Sequence, residues 1–174
     1  RAEAEERSLL GDLVGGQGAA RDLDHGAELV VDVDAFTLLD MLGLCLEEGD
    51  AISFVVTGAT AQDPYYPLLP PDGGPNTIHN EYDENGIAAL YAPFSSCIGL
   101  FLDDTQPDLT PAPAGLDFGT PESQNYLVLA PALKQPFFIG DGLTSSGTLQ
   151  QVVIPAGATR LFLGTMDSCE WNNN

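Results

Sequence analysis

The clearest structural signal lies in Leu149-Gln150-Gln151-Val152-Val153-Ile154-Pro155-Ala156-Gly157-Ala158-Thr159-Arg160-Leu161-Phe162-Leu163-Gly164-Thr165. Two runs rich in aliphatic and aromatic residues, Leu149 to Ile154 and Arg160 to Thr165, flank a Pro- and Gly-containing tight turn. That is the signature of strand, turn, strand. The same grammar continues upstream. Ile87 to Tyr91, Cys97 to Leu102, Tyr126 to Leu129 and Phe137 to Ile139 read as strands. So does Ile52 to Thr57, which follows the turn Glu48-Gly49-Asp50. Leu29, Val31 and Val33 alternate with Val30, Asp32 and Asp34, the period-two pattern of a half-buried strand. Leu38 to Leu46 fits one helical turn or a strand. Gly58 to Asn85, with five prolines, reads as a long loop of the kind that is functional or disordered. Seven or eight short strands separated by Gly and Pro predict an all-β fold, most naturally a β-sandwich. No helical stretch is long enough to build parallel βαβ units, and no repeat occurs at a fixed period.

The chain has 174 residues, a length for one domain. The first 26 residues differ from the rest, with Gly15, Gly16 and Gly18 breaking the pattern that ends at Val14. Residues 1–26 read as an acidic N-terminal arm, flexible or linked to assembly, in which Ala2 to Val14 fits a short helix; residues 27–174 read as the β-domain. There are 26 Asp and Glu against five Lys and Arg, a formal net charge of −21. Such a field repels duplex nucleic acid and anionic bilayers, so neither is expected as a partner. It suits self-repelling solubility, high salt, or divalent cations held between carboxylates. No apolar run is long enough to span a membrane. Arg1 to Arg7 lacks the apolar stretch of a signal peptide, so any export signal is expected to be absent or already removed. Cys45, Cys97 and Cys169 are widely spaced; one disulfide plus a thiol, or three thiols, are both open.

The end of the chain carries the main chemical candidate. In Met166-Asp167-Ser168-Cys169-Glu170-Trp171-Asn172-Asn173-Asn174, a carboxylate stands where a strand opens into a loop, and three amides follow. Calcium takes six to eight oxygens from carboxylates, amides and carbonyls, so this loop is a candidate cation site. A polar turn with an Asn-rich tail is the plain alternative. Trp171 fits either a sugar-stacking position or the core. Glu81-Tyr82-Asp83-Glu84-Asn85-Gly86 has alternating oxygen ligands before a Gly, but Ala92 stands where an EF-hand needs Glu. It reads first as a solvated acidic turn. His25 and His79 lie in no nucleophile or zinc motif, and neither a Gly-x-Ser-x-Gly elbow nor a phosphate loop occurs. Catalysis is therefore not expected.

The run from Val153 to Asp167, with Trp171 and the Asn residues, resembles a bacterial domain of PEP-CTERM-type exported proteins. That domain is similar to the PA-I galactophilic lectins. Ile98-Gly99-Leu100-Phe101-Leu102-Asp103-Asp104, Phe137-Phe138-Ile139-Gly140-Asp141-Gly142-Leu143-Thr144 and Gly49-Asp50-Ala51-Ile52-Ser53-Phe54 fit the same pattern, which covers about Leu44 to the end. The resemblance implies a jelly-roll-like antiparallel β-sandwich, extracellular or at the cell surface, with Ca2+ bridging to a glycan. It implies as ion ligands Asp167, the Trp171 carbonyl, Asn173 and Asn174, and a carbonyl near Gln62. On the sugar side it leaves Trp171, His79 and Asn85. The His and Gln that those lectins set against galactose are missing from Tyr82 to Asn85, so calcium is the firmer expectation. The family also has a strand after the paired Asn residues; here the last strand is expected to be missing or replaced. A structural subunit, filament-forming and closed by a donor strand from around Glu28 to Phe36 or from the arm, is the alternative function.

Overall fold

The computed structural model describes residues 18–23, 26–32, 37–40, 48–59, 67–74 and 78–167, the strand residues before 41 and residues 78–81 as backbone. Twelve strands are present among them: β1 (Gly18–Leu23), β2 (Gly26–Asp32), β3 (Thr37–Asp40), β4 (Ala51–Thr57), β5 (Ile78–Glu81), β6 (Leu90–Pro93), β7 (Cys97–Leu102), β8 (Leu116–Asp117), β9 (Val128–Leu129), β10 (Phe137–Phe138), β11 (Gln151–Val153) and β12 (Arg160–Thr165). They form a five-stranded sheet β1-β2-β4-β11-β9, a four-stranded sheet β10-β7-β12-β3 and a three-stranded sheet β5-β6-β8. Among the described residues, helix is confined to a 3-10 turn at Pro107–Leu109 and one α turn at Pro121–Gln124. The fold is all-β. No helix of the described residues is long and apolar enough to cross a membrane.

Two sequence expectations are corrected. The sheets are mixed rather than purely antiparallel: β2 pairs with β4, β11 with β9 and β6 with β8 in parallel. The reason for the first pair is topological. After β2 the chain crosses to the four-stranded sheet as β3 and returns as β4, so it re-enters the first sheet in the same direction. Second, Gly58 to Asn85 is not structureless, because β5 lies in it and pairs antiparallel with β6. The tight turn expected at Pro155–Ala158 is present, closed by the Ala158 N–H on the Pro155 carbonyl, and it joins strands of different sheets: β11 pairs with β4, and β12 with β7 and β3.

The ambiguous segment after residue 37 contributes a strand, β3, which takes the outer edge of β12 with Leu163 opposite Thr37 and Arg160 opposite Asp40. Strand β1, from within residues 1–26, borders β2, and β2 pairs inside its own chain with β4. The proposed helix at Ala2 to Val14 lies outside the described residues.

The five- and four-stranded sheets share a core. Strand β4 has the burial alternation its sequence promises, with Ile52, Phe54 and Val56 inward. They meet Phe101, Phe137, Leu161 and Leu163 of the other sheet, and Phe137 lies 6.4 Å from Phe54 and 5.3 Å from Phe101 between ring centroids. Each such side chain contributes about 1.5–3 kcal/mol when fully buried. Cys97 is a buried free thiol whose pKa is pushed up to about 12 by desolvation, so it is not poised for thiolate chemistry. Cys45 and Cys169 lie outside the described residues.

Strand direction divides the core into two ends. At one, β4, β10 and β12 finish and β7 starts; at the other, β7 finishes and β12 starts. At a rise of about 3.3 Å per residue, Cys97 and Leu102 stand about 16 Å apart along β7.

Candidate functional site

Asp167 is the first residue past β12 but one, and it is only 5% exposed. Its neighbour Met166 fixes it. The Met166 N–H donates to the Ser96 carbonyl (2.8 Å) and the Met166 carbonyl accepts the Ser95 N–H (2.8 Å). Two residues therefore oppose one, which is a β-bulge just before β7. Ser95 takes the left-handed conformation that such a bulge demands (φ 59°), a position usually given to Gly. The Ser96 N–H closes the turn on the Pro93 carbonyl at 3.0 Å.

The segment Pro71–Gly74 lies over this turn. The Cys97 N–H donates to the Pro71 carbonyl (2.7 Å), and the Gly74 N–H to that of Phe94 (2.8 Å). A Cβ on Gly73 would stand 2.5 Å from the Phe94 oxygen and 2.8 Å from the Ser96 nitrogen, so only glycine allows this approach. The cover leaves Ser95 1% and Ser96 0% exposed. Neither hydroxyl oxygen has a hydrogen-bond partner among the described residues. An unsatisfied buried polar group costs about 1–3 kcal/mol, so two side by side call for an explanation.

Beside the turn, Asp72 turns its Oδ1 onto the Asp141 N–H (2.9 Å), while Asp141 Oδ1 accepts the Leu143 N–H (2.8 Å). Partial desolvation raises the Asp72 pKa above its ordinary 3.8, and the Asp141 charge adds to the rise; the Asp141 N–H opposes it. Two cationic residues stand elsewhere. Lys134 bonds the Phe101 carbonyl through its N–H, and Arg160 pairs with Leu102, both at the far end of β7. Arg21 falls opposite Glu28, which falls opposite Ser53.

Of the nominated calcium ligands, Asp167 stands in this end; Trp171, Asn173, Asn174 and Gln62 lie outside the described residues. The backbone of His79 pairs with Ala92, three residues before Ser95, and so belongs to the same end. Asn85 does not. It occupies the tip of a two-residue hairpin (φ 48°) closed by reciprocal Glu84–Ile87 bonds of 3.0 and 2.8 Å. There it lines an open groove of about 510 Å³ against Asp108, Leu109 and Thr110. The acidic-turn reading of Glu81 to Gly86 fits this geometry.

Among the described residues no three His, Cys, Asp or Glu side chains gather closely enough to hold a metal. The implied donor set, however, has a single carboxylate and otherwise amide and carbonyl oxygens. The residues present meet it halfway: one enclosed carboxylate and two orphaned hydroxyls, oxygen donors that suit a hard cation. Ser95, Ser96, Asp72 and Asp141 were not nominated from sequence. Pro70-Pro71-Asp72-Gly73-Gly74 is a turn signal, but nothing in residue type marks a serine as left-handed. Compared with family models, curated proteins and solved structures, the chain matches none.

Proposed function

We propose that this protein is an exported, non-catalytic calcium-binding β-domain that recognises carbohydrate in the manner of the PA-I galactophilic lectins it resembles. One observation carries the reading. Asp167 is enclosed at the end of β12, directly against a bulged turn whose two buried hydroxyls have no partner among the described residues. The ion would be held by Asp167 together with the Trp171 carbonyl, Asn173, Asn174 and the Gln62 carbonyl, and would supply a Lewis-acidic centre for vicinal sugar hydroxyls. A cation there also offsets the excess of carboxylates. The test is thermal unfolding of chelated protein with and without added calcium, followed by glycan-array binding in calcium and in chelator. Calcium at 100 times its dissociation constant stabilises by about 2.7 kcal/mol, a readily measured rise in midpoint. An unchanged midpoint removes the ion; a rise without glycan capture removes the lectin.

A second reading, a subunit of an extracellular assembly, is favoured by the edge of the five-stranded sheet. There Leu127 and Val128 are 61% and 58% exposed, and Leu149 is exposed as well. An uncharged sheet edge is where like subunits of such charge meet with least repulsion. Particles that grow with calcium and fall apart in chelator, with no glycan bound, select this reading; a single monomeric species in both conditions dismisses it.

A further inference from the structure

We infer that Asn85 is a site of spontaneous modification, its side-chain amide converted through a cyclic imide with Gly86 to aspartate and isoaspartate. This is independent of the calcium reading.

The fold imposes the reacting pair. Glu84 and Ile87 exchange both backbone bonds, at 3.0 and 2.8 Å, so Asn85 and Gly86 alone make the turn. Both are left-handed, at φ 48° and 80°, as a two-residue hairpin of this hand requires. Asn is among the few side chains that tolerate such a backbone. Position 86 admits only glycine, because a Cβ there would run into the Pro107 carbonyl.

The same geometry leaves the reacting groups free. Asn85 is exposed. Its Nδ2 makes one bond, 3.2 Å to the neighbouring Glu84 carboxylate, and its Oδ1 accepts none among the described residues. No hydrogen bond from the described residues holds the Gly86 N–H. That nitrogen, with no side chain beside it, can attack Asn85 Cγ. The N–Cγ bond forms, the Cγ–Nδ2 bond breaks, and ammonia leaves with the proton of the Gly86 N–H. Water then opens the imide at one of its two carbonyls and gives aspartate or isoaspartate. Asn125 is the internal contrast. It is exposed too, but its Nδ2 donates to Ser145 Oγ and its Oδ1 accepts the Ser145 N–H, both at 2.8 Å, and bulky Tyr126 follows it. Conversion of Asn85 adds a carboxylate to a groove that Asp83, Glu84 and Asp108 already line.

The experiment holds the full chain in warm neutral buffer, native and in urea, beside an Asn85→Gly variant whose glycine suits the left-handed turn. Released ammonia is measured, and peptides are mapped by mass spectrometry with separation of aspartate from isoaspartate. In the native chain the Asn85 peptide should convert about tenfold faster than the Asn125 peptide, which asks for only about 1.4 kcal/mol of barrier difference. Asn85→Gly should release correspondingly less ammonia than wild type. A native Asn85 that stays intact while the urea-unfolded chain converts overturns the inference, because the turn then keeps the Gly86 nitrogen away from Cγ. Equal conversion of Asn85 and Asn125 overturns it as well, since the hairpin would then confer no selectivity.

Discussion

The two ends of the β7–β12 ladder solve the same problem in opposite ways. At the far end, carboxylates and carbonyls meet cations from the chain itself. Arg160 Nε donates to the Asp103 carbonyl at 2.9 Å, Nη2 bonds the same oxygen, and the guanidinium lies 5.8 Å from the Phe162 ring centroid. Lys134 Nζ gathers the Pro107, Thr110 and Pro111 carbonyls at 3.3, 3.1 and 2.9 Å. The near end holds Asp72, Asp141 and Asp167, and Lys134 and Arg160 both stand at the opposite end. With five Lys and Arg for 26 acids, most carboxylates of this chain must rely on solvent or on ions. The two ends thus differ in the charges they carry: one holds Arg160 and Lys134 against carbonyls, and the other is where the proposed ion would sit.

The strongest test of that separation removes what lies between the ends. Phe137→Ala empties the ring position shared by Phe54 and Phe101 and should cost about 3–5 kcal/mol, read as a lowered denaturant midpoint. Calcium affinity, measured where the variant is still folded, should be unchanged. A parallel fall in affinity would mean that the near end depends on core packing and is no independent unit.

Gly140→Ala strikes the near end alone. Gly140 has φ 61°, and a Cβ there would run into Asp72 Oδ1 and the Phe138 ring. The expected loss is about 1–3 kcal/mol. Adding Asp72→Ala should return part of it, because the clashing carboxylate is gone, with a coupling of about 0.5 kcal/mol or more in a double-mutant cycle. Strict additivity would show that backbone strain, and not the Asp72 contact, is the cause.

Arg160→Met addresses the other end and should cost about 1–2 kcal/mol, since charge-assisted bonds to carbonyls are lost while the packing stem is kept. The loss should be the same in calcium and in chelator. A calcium-dependent loss would join the two ends and break the comparison.

What the sequence disclosed follows the same divide between local and non-local causes. Strands β7 and β12 run over the residues expected, because β-branched and aromatic runs bounded by Gly and Pro are local signals. The partners of those strands are another matter. That β3 closes the edge of β12, and that β2 returns parallel to β4, depends on crossings between sheets that no periodicity records. Strand β5 was hidden by flanking prolines and glycines that dominate its window. At the site, Asp167 was legible as a carboxylate ending a strand. The Ser95 bulge was not, because the left-handed backbone there is imposed by the Met166 pairing and the Gly73–Gly74 cover.

The smallest effect is the most specific, since the two ends should titrate with opposite sign. Asp103 is held below the usual carboxylate range chiefly by the Thr105 hydroxyl (2.6 Å) and N–H (2.9 Å), with the Arg160 charge assisting. Its folded pKa is lower than the unfolded one, so it adds stability above about 3.8 that is lost as pH falls. Asp72 is shifted up by desolvation, so its contribution is fullest below about 3.8 and is lost as pH rises through its folded value. Unfolding midpoints against pH, in calcium-free buffer, should show Asp103→Asn flattening the acid limb and Asp72→Asn flattening the decline on the other side. Adding calcium should then move the Asp72 break to lower pH and leave that of Asp103 in place. The ends are about 16 Å apart along β7, roughly twice the screening length of about 8 Å at physiological salt. If calcium shifts both breaks equally, the ion is binding diffusely to the acidic surface and the near end has no privileged claim on it.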